Sequence, residues 1–214
     1  MRRTIGPITF GLVACTLLSA CGRGEEKSRE LRVTAAQQCE GTLSPVAAKA
    51  LTTALRAERF KNREAGGLER TVRQLASDYE KGERWSFHPD MCEVKAQTGT
   101  TGLDVHFGLY DPSDLIGDGR VINMHPYQMG REAHTGFKRA YLFLECTSPR
   151  LEGSAKAPAR IQGTLDLDKP YPPDTVPIRE ANLTILHSVA LAVVKELGCK
   201  NDAGLTEKPI LEAK

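Results

Sequence analysis

The chain has 214 residues, 40% hydrophobic and 26% charged, enough for one domain with its own core and too short for two large ones. Its formal charge is +2; setting aside Arg2 and Arg3 leaves 27 basic residues against 27 acidic, a neutral chain with no electrostatic reason to bind nucleic acid or an anionic surface. No block of five or more like charges occurs, which also excludes an acidic or basic interaction tail.

Taken in chain order, residues 1–20 have the three parts of an export signal. There is a cationic start at Arg2 and Arg3, an apolar core from Ile5 to Leu18, and a small-residue exit at Ser19 and Ala20. The apolar core is shorter than the roughly 20 residues that a membrane-spanning helix needs. Its end, Leu18-Ser19-Ala20-Cys21, resembles the lipobox of bacterial lipoproteins. That resemblance implies that Cys21 receives diacylglycerol on its sulfur and becomes the N-terminus after cleavage, with palmitate-type acyl chains as the anchor. Leu12-Val13-Ala14-Cys15 is a second match. It leaves too short an apolar core before it and puts Thr16-Leu17-Leu18 where a solvated segment belongs, so Cys21 is the preferred site. Residues 21–38 are polar and of mixed charge without hydrophobic periodicity, and read as a flexible tether reaching on the order of 20 to 25 Å from the membrane. The expected location is the extracytoplasmic face of the cell membrane, with the membrane itself as the first partner.

A single α+β domain is expected over residues 39–200, followed by a C-terminal tail, 201–214. Ser44-Pro45 is a good helix entry, and Val46, Ala47, Ala50, Leu51, Ala54 and Leu55 follow at helical spacing. A second helix begins after Gly66-Gly67, with Leu68, Val72, Leu75 and Tyr79 on one face and Gly82 at its end. The period then switches to two. Leu103, Val105, Phe107 and Leu109 alternate with polar positions or glycine, as do Ile161, Leu165 and Leu167, so each segment predicts a strand with one wet face. Residues 139–146 (RAYLFLEC) are apolar on both faces and suit a central strand; 84–87 (RWSF) and 120–124 (RVINM) are weaker strand patterns. A helix from Pro177 to Leu197 is apolar almost all round, with a narrow polar stripe of Glu180, Thr184, His187, Ser188 and Lys195, and must be largely buried. The fold class predicted is therefore α+β, an antiparallel sheet of about four to five strands packed against helices that include a long C-terminal one.

Four cysteines remain in the domain, Cys39, Cys92, Cys146 and Cys199, spaced 53, 54 and 53 residues apart. An even number in an exported chain predicts two disulfides, and zinc sites use much closer pairs. Spacing alone does not choose among three connectivities. The ends of the elements favour Cys39 with Cys92, fastening the N-terminal helices to the sheet, and Cys146 with Cys199, joining the most apolar strand to the most apolar helix. The lipobox, the helix entry at residues 39–51, the cysteines near element ends and the closing Gly198-Cys199 resemble the small lipoproteins of uncharacterised function common in actinobacteria. For the domain, that resemblance implies a PsbP-like sheet-and-helix sandwich.

The standard signatures of nucleophilic, metallohydrolase, phosphate-binding and dinucleotide-binding sites are absent from the sequence. No catalytic residue and no cofactor are assigned, and the domain is expected to bind an envelope protein or a small ligand rather than to catalyse. Two alternatives have residues behind them. Met124, His125, Met129 and His134 fall within eleven residues, and thioether with imidazole suits copper, which points to a copper carrier; the competing reading makes Met129 a packing residue and leaves both histidines solvated. A hydrolase would have to build its site on the wet sheet face around His106, or at the loop carrying Asp111, Asp114 and Asp118, whose spacing departs from a calcium loop and fits a surface turn. On this reading His106 and His187 are solvent-facing.

The anchor assignment has a direct consequence. Cys21→Ser leaves an unprocessed precursor or a released protein, whereas Cys15→Ser still partitions with the membrane into detergent; the reverse pattern contradicts the assignment.

Overall fold

The computed structural model describes residues 32–61, 67–87, 90–117, 119 and 121–214. The expected signal segment, Cys15 and Cys21 lie outside the described residues, as does Asp118. The chain forms β1 (Arg32–Val33), α1 (Pro45–Leu55), β2 (Phe60–Lys61), α2 (Leu68–Glu80), β3 (Cys92–Lys95), β4 (Gly102–Leu109), β5 (His125–Tyr127), β6 (Glu132–Thr135), β7 (Arg139–Cys146), β8 (Ala159–Leu167) and α3 (Val176–Leu197). The strands β3-β4-β8-β7-β6-β5, in that order, make a six-stranded antiparallel sheet. This is the expected α+β architecture. Of the six strands the sequence marked β4, β7 and β8; β3, β5 and β6 are segments of three or four residues, too short to show an alternating pattern.

The helices begin where local chemistry starts them. Ser44 caps α1 by accepting the Ala47 amide at 3.2 Å, with Pro45 supplying a preset first turn. At the other end of the domain, α3 stops at left-handed Gly198, where the Cys199 amide turns back to the Val194 carbonyl at 2.9 Å. That turn delivers Cys199 to the end of β7.

Along α3, Leu183, Ile185, Leu186, Val189, Ala190, Val193 and Val194 are all fully buried, and burial of each large side chain is worth about 1.5 to 3 kcal/mol. The helix lies across β6, β7 and β8 and takes α1 and α2 on its other sides. Gly163 in the middle of β8 allows that contact: a Cβ there would stand 2.7 Å from the Phe107 ring and 3.1 Å from a Leu186 methyl. Polar groups on α3 fix its position. Asn182 Nδ2 donates to the Gly136 carbonyl at 2.9 Å, and Ser188 Oγ donates to the Thr42 carbonyl and accepts the Ser44 amide at 3.0 and 2.9 Å. The middle of the polar stripe is therefore no wet face: Thr184, His187 and Ser188 are buried, Ser188 against the entry to α1 and His187 beside residues 204–206, while Lys195 stays exposed.

Both expected disulfides form, Cys39–Cys92 with Cα atoms 4.9 Å apart and Cys146–Cys199 with Cα atoms 5.1 Å apart. Each spans 53 residues, a loop whose closure is worth on the order of 4 kcal/mol in the chain-entropy model. Neither weak strand pattern is a strand. Residues 84–87 cross over β4, held by the Ser86 amide donating to the Leu109 carbonyl at 3.1 Å and the Leu109 amide donating to Ser86 Oγ at 2.9 Å. Gly108 makes the crossing possible, because a Cβ there would come within 2.0 Å of the Ser86 carbonyl. Residues 121–124 form a turn, with Asn123 at positive φ.

The boundaries also move. Residues 32–38, assigned to the tether by composition, belong to the fold: Arg32 and Val33 pair with Lys61 and Phe60, and Ala35 and Gln38 are buried. The C-terminal residues 201–214 are likewise packed. Leu205 is buried, Ala213 bridges Tyr127, and the Gln128 and Lys214 amides bond to the Glu212 and Pro126 carbonyls. At the opposite edge Phe60 bridges Ala96 and the Gln97 amide donates to the Arg59 carbonyl at 2.9 Å. The β5 edge is thus paired with the chain's own residues 212–214, and the chain just past the end of β3 is met by Arg59 and Phe60.

Candidate functional site

The strand register sorts the side chains of the sheet into two faces. One face, carrying Val105, Phe107, Leu142, Leu144, Ile161 and Leu165, is covered by helices. On the other, three rows run across the strands: Asp104, Asp166 and Arg139; His106, Thr164, Tyr141 and His134; Gly108, Gln162, Phe143 and Glu132. No described helix covers this second face. Two loops flank it instead, residues 84–87 beside β4 and, beside β6, residues 115–117 with 121–124.

Between those loops lies an open trench made of two adjoining cavities of about 310 and 350 Å³, both lined by Arg139, Tyr141 and Asp166. Trp85, Phe87, His106 and Gln162 line the first; Ile122, Met124, Phe137 and Tyr171 line the second. Trp85 and Phe87 are each 60% exposed and Ile122 is 87% exposed, so large apolar side chains stand at both margins of a polar floor. The floor is bonded to itself. Arg139 Nε donates to Asp166 Oδ1, Arg139 Nη1 donates to the Tyr141 hydroxyl at 3.0 Å, and Gln162 Nε2 donates to Thr164 Oγ1 at 3.3 Å. The His106 ring meets the Phe87 ring edge-on at 4.6 Å, so His106 is half-buried rather than free in solvent. Its burial lowers its pKa below the usual histidine value in spite of Asp166 and Asp90 nearby, leaving a neutral imidazole at pH 7.

Beside His106, Lys95 holds a cluster of acids. Its ammonium pairs with Asp168, with Glu93 at 3.4 Å and with Asp104 at 3.9 Å. Burial acts against the charge on Lys95, but these carboxylates outweigh it and raise its pKa. Asp104 is pushed up from an ordinary 3.8 to about 6, chiefly by burial, with Lys95 opposing and Asp90, Asp168 and Glu93 adding to the rise.

Of the Met/His set, Met124, His125 and His134 line one cavity and Met129 does not. His125 lies opposite Thr135, whose hydroxyl bonds to the Arg179 carbonyl of α3, while His134 belongs to the row of Tyr141 and Thr164; the two imidazoles start from opposite faces of the sheet. Met129 is buried in the core, and the Met124 sulfur packs against Gly136. His134 is not solvated: it is buried, and its Nε2 stands 2.9 Å from Glu132 Oε1, which as an acceptor requires the proton on that nitrogen. Glu132 also accepts the Ile116 and Gly117 amides at 2.8 and 3.1 Å, so the pair fastens residues 116–117 to the sheet. Among the described residues no group of three His, Cys, Asp or Glu side chains is placed to hold a metal ion. The Asp111 and Asp114 carboxylates are taken up by their own turn, Asp111 accepting from Ser113 and pairing with Arg84 at 2.8 Å, Asp114 accepting the Asp111 amide. His187, expected in solvent, is buried, with Nε2 lacking a hydrogen-bond partner and burial lowering its pKa.

No protein-family model, curated protein or solved structure matches this chain. Any function must therefore be argued from the site. Trp85, Phe87, Arg139, Tyr141, Gln162, Thr164 and Asp166 are the residues that the sequence did not single out. Alternation in 160–168 did mark the polar side of β8, but nothing local shows that the 84–87 segment brings an indole to it.

Asp104 yields a pH prediction. An acid with a higher pKa in the fold than in the unfolded chain binds its proton more tightly when folded, so its contribution is present at low pH and is lost as pH rises through about 6. Asp104→Asn removes this loss and raises stability by about 1 kcal/mol at pH 7, allowing for solvent screening of a partly exposed group. Urea unfolding of both proteins between about pH 4 and pH 7 checks it: the curves converge at the acid end and separate at the neutral end.

Proposed function

We propose that this protein is a lipid-anchored lipoprotein of the extracytoplasmic membrane face, whose disulfide-closed domain is a non-enzymatic binding module using the uncovered face of its sheet. The lipobox ending at Cys21 supports the anchor, and two disulfides in place of free thiols agree with an oxidising compartment. Among the described residues no helix is long and apolar enough to cross a membrane, and a diacylglycerol with a further acyl chain supplies anchoring without one.

The observation that carries the binding role is the trench: a polar floor with the exposed Trp85 and Phe87 at one margin and Ile122 at the other. Large aromatic side chains left in water beside a concave polar surface are what a recognition surface needs, since covering them releases hydration free energy while the polar groups fix orientation. Binding is favoured over catalysis by how the floor is wired. The Thr164 and Tyr141 hydroxyls accept from Gln162 and Arg139, and among the described residues neither is bonded to a base that would turn it into a nucleophile.

Replacing Phe87 by the photoreactive p-benzoylphenylalanine and irradiating intact cells tests this role. Val46, 54% exposed on α1, is the control. A discrete adduct at position 87 and none at 46 is expected; no adduct at 87, or equal adducts at both positions, contradicts the proposal.

A further inference from the structure

We propose that the trench receives a neutral oligosaccharide, with sugar rings stacking on Trp85 and Phe87 and hydroxyl groups exchanging hydrogen bonds with Gln162, Thr164, Tyr141 and Asp166. This rests on the binding role proposed above and names the chemical class of what is bound.

The charge of the floor is the first argument. Arg139 gives Nε to Asp166 and one Nη1 hydrogen to the Tyr141 hydroxyl, so its charge is balanced by Asp166 within the floor while its remaining N–H groups stay available to ligand oxygens. Gln162, Thr164 and Tyr141 are uncharged. In the cavity beside Trp85 the guanidinium and the Asp166 carboxylate offset each other, so a ligand without formal charge meets no unbalanced charge there.

The second argument is the hydrogen-bonding capacity left after these internal bonds. The Tyr141 and Thr164 oxygens each accept one bond, which leaves their own O–H hydrogens free to donate. Gln162 keeps a second N–H and its carbonyl oxygen, and Asp166 keeps Oδ2. Donors and acceptors therefore alternate over a short distance. Sugar hydroxyls, each both donor and acceptor, satisfy such a surface; a purely accepting or purely donating ligand leaves part of it unpaired, at a cost for each group desolvated.

The rings supply the third. The C–H bonds on a pyranose face carry partial positive charge and pack on the negative face of an indole or phenyl ring, and Trp85 and Phe87 hold such faces 60% in water. Phe137 and Tyr171 at the far end of the trench are taken up by each other and by Lys138, which lies over both, 5.0 Å from each centroid, so the stacking rings are Trp85 and Phe87. Two such side chains on one segment beside a polar floor suit a ligand of more than one ring.

The fold argues against the two main competitors. A peptide added as a strand binds along a sheet edge, whereas the trench lies on a sheet face, and the β5 edge is already paired with residues 212–214. A lipid tail needs an enclosed apolar cavity, whereas this trench is open and floored by polar side chains.

Trp85 is the sole tryptophan, so its emission reports on the site alone. The full chain in detergent is titrated with maltohexaose, cellopentaose and the N-acetylglucosamine tetramer. A saturable change in Trp85 emission with at least one of them, at a Kd of about 1 mM or tighter, is expected. Calorimetry with Gln162→Ala and with Trp85→Ala, both at partly or largely exposed positions, should show binding weakened at least about fivefold with unchanged circular dichroism. Silence with all three sugars, or equal affinity in both variants, overturns the proposal. So does a polypeptide adduct on the photoreactive residue at position 87, which leaves the binding role standing and removes the sugar.

Discussion

The burial of α3 is the constraint on which the rest of the molecule depends. A helix apolar on nearly every side has no solvent face to offer, so it must be enclosed by the sheet on one side and by other helices on the rest. Three strands, α1 and α2 serve that purpose, and Gly163 lets the helix sink onto β8. The helices are thereby all used on one face. The second face of the sheet is left with two loops for cover, and a trench between them follows from the shortage of covering elements.

The disulfides act on the same enclosure. Cys146–Cys199 ties the end of β7 to the end of α3, and Cys39–Cys92 ties the entry to α1 to the start of β3, so each joins the helical layer to the sheet. The chain also pairs the β5 edge with its own residues 212–214 and meets the segment just past β3 with Arg59 and Phe60. A sheet face that no described helix covers presents side chains rather than backbone to a partner.

What the sequence disclosed and what it withheld divide along the range of the forces involved. The three helices, the two long alternating strands and the disulfide partners rest on local periodicity, caps and element ends, and the structure has them where the pattern places them. The fate of polar residues on α3 was not legible, because whether Thr184, His187 and Ser188 meet water depends on α1 and on the chain end, far away in sequence. The wet side of β8 was legible from alternation, but its neighbour Tyr141 lay hidden in a strand apolar on both faces. Trp85 reaches the site only because Gly108 admits the Ser86 backbone across β4. The Met/His segment is the converse case: His125 and His134 start from the two faces of a sheet that their own composition conceals, and of the four residues Met124, His125 and His134 share a cavity while Met129 joins the core.

Hydroxyl-radical footprinting of the folded protein, read residue by residue in a mass spectrometer, tests the one-sided architecture most directly. Trp85, Phe87 and Tyr141 are expected to oxidise much faster than Met91, Phe107 and Leu142, which lie in the core. Protection of Tyr141 and Trp85 to the level of Phe107 would mean that the second face is covered, and would contradict the account.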